Sequence, residues 1–108
     1  MHAVVETPGY LRDAEDIGLG EAERFELISR LAENPMAGDL MAGTGGCRKV
    51  RVARPGQGRS GGFRVVTFLV RDGRVILIAA FAKSRQANLT RAQRNALPRV
   101  TMGLKTED

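Results

Sequence analysis

The stretch from Cys47 to Phe81 leaves the chain little choice of fold. Three runs rich in β-branched and aromatic residues, CRKVRVA (47–53), FRVVTFLV (63–70) and RVILIAAF (74–81), follow one another with no helical periodicity between them. The second and third are separated by Arg71-Asp72-Gly73, and Asp-Gly is a strong hairpin signal because the tight turn needs φ > 0 there. The first and second are joined by Arg54 to Gly62, a segment with four glycines. Parallel neighbours need a crossover of about a dozen residues or more, so connections this short imply an antiparallel meander.

The preceding half reads differently. AVVETP suits a short strand ended by Pro8, which lacks a ladder donor and holds Thr7 extended. Tyr10 to Ile17 is a first helix, broken by Gly18 and Gly20. Glu21 to Glu33 is a second, with Phe25, Ile28, Leu31 and Ala32 on one stripe, acids in its first turn, and Asn34-Pro35 as its stop. Residues 36–46 form a glycine-rich loop. In the tail NLTRAQRNALPRV, Thr90 and Gln93 make a capping box and Pro98 lies near the helix end. The expected class is α+β: an antiparallel sheet of about four strands, a two-helix hairpin packed on one face, and a short C-terminal helix.

With 108 residues, the chain is long enough for one core, so residues 1–108 are expected to form a single domain. No run of about 18 apolar residues offers a membrane span, and the N-terminus has neither a basic leader nor an apolar signal core. A cytoplasmic location without a membrane partner is the expectation. One cysteine, Cys47, and one histidine, His2, give no soft-ligand cluster, so neither a metal nor a small-molecule cofactor is expected.

Charge is divided along the chain. Residues 1–40 carry nine acids against three bases, whereas residues 41–105 carry fourteen bases against one acid, Asp72. So many like charges in one small half repel one another unless an anion compensates. Eleven of the fourteen are arginine, whose planar fork grips phosphate bidentately and stacks on bases, which points to nucleic acid.

The letters Gly56-Gln-Gly58-Arg-Ser-Gly61 match GxGxxG. A dinucleotide site needs a helix after that turn, and here a strand follows; a kinase-type loop needs a strand lysine, a catalytic loop and a metal-binding aspartate that this chain lacks. The glycines therefore read as a long hairpin loop. The adjoining strand is more informative. Alternation places Val50 and Val52 on one face and Lys49 and Arg51 on the other, and antiparallel pairing brings the Arg64 region beside them. One face is for the core; the other is basic.

Taken together, GTGG-x-RK (43–49), R-SGG-x-RV (59–65) and FAK-x4-NLT (81–90) resemble the RelE/ParE superfamily of toxins from bacterial toxin-antitoxin systems, in particular its RelE/HigB-like branch. The similarity runs from AVVETPGY to the last helix. It implies a RelE-like fold and a metal-independent endoribonuclease that cuts mRNA in the ribosomal A site, the ribose 2′-OH attacking the adjacent phosphate to leave a cyclic phosphate. By motif, Lys49 and Arg51 match the basic pair on the strand after the glycine loop, Arg64 the arginine on the next strand, and Lys83 the basic residue following the last strand. Arg64 would then meet the transition-state phosphate, Lys49 and Arg51 would activate the nucleophile or bind phosphate, and Lys83 would stabilise the leaving group or the RNA backbone. Arg59 and Arg85 would position RNA, Arg48 would serve either purpose, and Phe81 or Phe63 could stack on a base.

The implied partners are a cognate antitoxin, the ribosome and mRNA. Two alternatives share the composition: a ParE-like toxin inhibiting a topoisomerase by binding, and a noncatalytic RNA-binding module. The chain departs from the family in one respect. Many members carry a tyrosine, histidine or acid near the C-terminal end, whereas here the only tyrosine is Tyr10 and the only histidine His2.

Overall fold

Thr7 and Pro8 turn the chain from its first strand, β1 (Val4–Glu6), into its first helix, α1 (Pro8–Ile17), in the computed structural model, which describes residues 2–54 and 61–106. Thr7 is the N-cap: its Oγ1 accepts from the Tyr10 amide at 3.1 Å and donates to the Leu77 carbonyl at 2.7 Å. Pro8 does more than end the strand. At the first helical position its missing N–H costs nothing and its fixed φ suits the turn. Gly18, at φ 78°, closes α1, and α2 (Glu21–Glu33) follows with the expected boundaries.

The α2 stripe is rotated from the expected one. Leu27, Leu31 and Ala32 are buried, while Phe25 is 70% exposed. The line of contact runs through Leu27 and Leu31, one turn apart, and Phe25, two residues before Leu27, falls about 200° around the helix and faces outward.

After α2 come β2 (Asp39–Leu40), β3 (Arg48–Val52), β4 (Phe63–Leu69), β5 (Val75–Ala82) and α3 (Arg91–Thr106). The meander is present as expected. The sheet, in the order β1-β5-β4-β3-β2, has five strands against about four expected. The additional strand, β2, pairs Asp39 with Lys49 and Leu40 with Arg48, and is too short to leave a periodic signal. The β1 edge is parallel, Val4 opposite Val75, so the sheet is mixed. A three-residue strand whose partner lies far along the chain carries no mark of pairing direction.

Helices lie on both faces. On one, Tyr10 and Ala14 of α1 and Leu27 and Leu31 of α2 pack on Val50, Val52, Phe63, Val65, Val75 and Leu77. On the other, Leu97 of α3 packs with Val66, Phe68, Ile76, Met41 and Cys47, and Leu104 lies against them. Each fully buried aliphatic or aromatic side chain contributes about 1.5–3 kcal/mol, so both layers are substantial.

α3 is long, at 16 residues, where a short helix was expected. Its capping box forms as read: Thr90 N–H donates to Gln93 Oε1 at 2.9 Å and Gln93 N–H to Thr90 Oγ1 at 3.1 Å. The helix continues through Pro98 because its far half is anchored. Buried Thr101 donates from Oγ1 to the Thr44 carbonyl at 3.1 Å, and Thr44 itself caps the glycine loop, its Oγ1 donating to Met41 O and accepting from Cys47 N–H. Tertiary contact outweighs the one helical donor that proline removes.

Candidate active site

Lys49 and Arg51 stand on the face of β3 opposite Val50 and Val52, which belong to the core under α1 and α2. β4 runs antiparallel beside it, and the register sets Arg51 directly opposite Arg64 and Arg64 directly opposite Phe81 of β5. A single cross-strand row therefore reads Arg51, Arg64, Phe81. Lys49, opposite Val66, stands one row in on the same face. Directly opposed side chains leave the backbone about 4.5–5.5 Å apart at Cβ and diagonal ones about 7–8 Å, so these three cations share one small area.

Two braces hold this end of the sheet. Arg30 of α2 donates from Nη2 to the Arg51 carbonyl at 2.6 Å. Lys83, directly after β5, donates its amide to the Gly62 carbonyl at 3.0 Å, which fixes it beside the start of β4. Gly62 is required there: its φ is +91°, and a Cβ would meet the Val52 carbonyl oxygen at 2.6 Å. Lys83 is half-buried, as are Lys49 and Arg64.

Positive charge is concentrated at this end of the sheet. Partial burial, and then the neighbouring Arg51 charge, lower the pKa of the Arg64 guanidinium below its ordinary value. Among the described residues no carboxylate lies within ion-pair distance of Lys49, Arg64 or Lys83; the ion pairs present are Arg24 with Glu6 and Arg74 with Asp72. Nor do any three of His, Cys, Asp and Glu among those residues gather where a metal ion could be held. The arrangement offers pre-placed positive charge to a phosphate.

Not every expected residue joins it. Arg48 alternates to the other face of β3, and its Nη1 donates to the Gly38 carbonyl at 3.1 Å. Arg85 donates from Nη1 to the Asp16 carbonyl at 3.3 Å, in the last turn of α1, where a cation complements the negative end of the helix dipole. Phe81 lies in the row but is 3% exposed and Phe63 is fully buried, so neither ring presents a face on which a base could stack. Arg59 lies outside the described residues.

Asn88 is the addition that residue-by-residue reading missed. Its Oδ1 accepts from Lys49 Nζ at 3.5 Å and from the Leu89 amide at 2.9 Å, so the segment leading into α3 meets the basic row at Lys49. Its signal was already present in the NLT of the third motif.

The family described as the RelE toxin of the RelE / RelB toxin-antitoxin system matches residues 4–106, nearly the whole chain. The chain belongs to the RelE toxin family. It is thus a toxin of a toxin-antitoxin system, and membership implies a cognate antitoxin as partner. The five-stranded sheet with three helices, the last C-terminal, is consistent with a RelE-like fold. No helix among the described residues is long and apolar enough to cross a membrane.

Proposed function

We propose that this RelE-family toxin is a ribosome-dependent endoribonuclease that cleaves mRNA in the A site, using the basic end of its sheet as the active site. The observation that carries the reading is the pairing of Arg51 with Arg64, with Lys49 on the same face. Burial and the opposed Arg51 charge both disfavour the charged form of Arg64, so an anion bound between the two strands would be held by both guanidinium groups.

In the reaction proposed, the ribose 2′-oxygen forms a bond to the adjacent phosphorus as its proton leaves. The bond from phosphorus to the 5′-oxygen then breaks, and that oxygen takes up a proton, giving a 2′,3′-cyclic phosphate and a free 5′-hydroxyl. Charge accumulates on the pentacovalent phosphorus oxygens, and cations fixed in advance stabilise that species more than the ground state. Arg64, central in the row, is assigned to those oxygens. Lys49 and Arg51 act at the nucleophile side, and Lys83 at the leaving oxygen.

Induced expression followed by mapping of mRNA 5′ ends tests this. Cuts inside translated codons that vanish with Arg64→Ala are the expected result. Intact mRNA accompanied by DNA damage would instead place the toxin on a topoisomerase, and growth arrest with neither would leave RNA binding without cleavage.

A further inference from the structure

α3 begins as a second basic surface, and nothing in the catalytic assignment uses it. Between Asp72 and Glu107 the sequence has no acid at all, yet it holds Arg91, Arg94, Arg99 and Lys105 in the helix. Arg91 and Arg94, three residues apart, lie on one face of its first turn. With Asn88, Leu89 and Asn95 they line a cleft of about 460 Å³. Arg91 is exposed and Arg94 half-buried, and neither guanidinium has a hydrogen-bond or ion-pair partner among the described residues.

The cleft is built in advance. Besides the capping box, Gln86 Nε2 donates to the Asn88 carbonyl at 2.8 Å and to Gln93 Oε1 at 3.3 Å, tying the approach segment to the first turn. It is also continuous with the basic row, since Asn88, which lines it, accepts from Lys49. The Lys49–Asn88 contact therefore joins the basic row of β3 and β4 to the cleft at the start of α3.

We propose that this cleft is a second phosphate site, in which Arg91 and Arg94 hold a phosphate of the RNA strand outside the linkage that Arg64 grips. The proposal rests on the active-site reading above for where the scissile linkage lies. It makes the toxin's grip depend on RNA length: a strand long enough to reach both places gains contacts that a minimal one lacks.

The test is equilibrium binding of 2′-O-methyl oligoribonucleotides, which lack the attacking hydroxyl, in a minimal and an extended length over a range of salt. For single strands each phosphate contact adds about 0.7 to the slope of log K against log salt, so Arg91→Ala/Arg94→Ala, which empties one phosphate site, should flatten the slope for the extended strand by about 0.7. Equivalently, as salt rises about fourfold the wild type loses about 2.6-fold more affinity than the variant. The minimal strand should show no difference, and Arg91→Lys/Arg94→Lys should restore the wild-type slope.

An unchanged slope on the extended strand overturns the proposal, and so does an equal change at both lengths, which marks a general defect. Weakened antitoxin binding with RNA binding intact overturns it in favour of a protein contact. Arg64→Ala, run in parallel, separates the two readings. If it weakens binding of both lengths while the cleft variant does nothing, only the cleft fails; if it has no effect while the cleft variant does, the active-site placement fails.

Discussion

Replacing Arg64 by methionine is expected to stabilise the fold while abolishing activity. Arg64 is half-buried and directly opposite Arg51, and both burial and that neighbour disfavour its charged form. A base whose pKa is lowered on folding costs stability wherever the group is charged in both states, which for guanidinium covers the whole neutral range, and the cost fades only in strong alkali. The gain from Arg64→Met is therefore flat with pH around neutrality. Like charges directly opposed on neighbouring strands cost roughly 0.2–1 kcal/mol, and methionine keeps an apolar stem on the sheet. The variant forfeits the bond from Arg64 Nη1 to the Phe63 carbonyl at 3.2 Å, which offsets part of that relief.

A net gain of about 0.5 kcal/mol corresponds to a Tm rise of about 2–4 °C for a domain of this size. The repulsive part is screened by salt, since the Debye length falls from about 10 Å at 0.1 M to about 3 Å at 1 M, so the rise should shrink as salt is added. Thermal unfolding followed by circular dichroism in low and high salt measures both quantities. The gain from Arg64→Met should be smaller in an Arg51→Met background than in the wild type, because one repulsion can be removed only once. A lower Tm for Arg64→Met at low salt, or a gain indifferent to salt, would refute the reasoning, and with it the argument that this pair is kept for a ligand.

Two other substitutions probe the scaffold. The Tyr10 hydroxyl is buried with no hydrogen-bond partner among the described residues, and burial, reinforced by Glu6, pushes its pKa up to about 12; Tyr10→Phe should raise stability by about 1 kcal/mol, read as a higher urea midpoint at unchanged m. Thr101→Val removes the buried donor to the Thr44 carbonyl and should cost about 1–3 kcal/mol, with amide exchange accelerated in the second half of α3.

What the sequence revealed and what it hid divide along physical lines. The three meander strands and α2 were legible because their signals are local: β-branched runs, an Asp-Gly turn, and a 3.6-residue stripe with a clear stop. The basic row was legible as well, since alternation along β3 fixes which side chains share a face, and a hairpin register follows from that face being buried. β2 and the parallel β1 edge were not, because short edge strands are defined by their partners. Phe25 was misplaced because a stripe read from apolar identity alone admits any apolar residue near the right angle. Arg48, Arg85 and Phe81 were assigned by charge or ring type, and only the third dimension shows what each one meets. The length of α3 was hidden by Pro98, whose local penalty is overridden by Thr101 and Thr44, two residues that look unremarkable in the sequence.

The division of the two sheet faces explains how a domain this small tolerates such a charged surface. Under the basic row, Val50, Val52, Phe63 and Val65 are buried against the α1–α2 layer, so the strands that present the cations are held from the opposite side. α3 covers Val66, Phe68 and Ile76 and leaves the β3 end of that face to Lys49, Arg51 and Arg64. The α1–α2 face is given over to core, while the α3 face is shared between the core beneath that helix and the basic row at its β3 end. Substitutions at Val50 or Val65 should then unfold the protein, whereas substitutions at Lys49 or Arg64 should disarm it while leaving it folded. An antitoxin that supplies acidic side chains to the row would relieve the same repulsion that Arg64→Met relieves, and would stabilise the toxin by the mechanism that silences it.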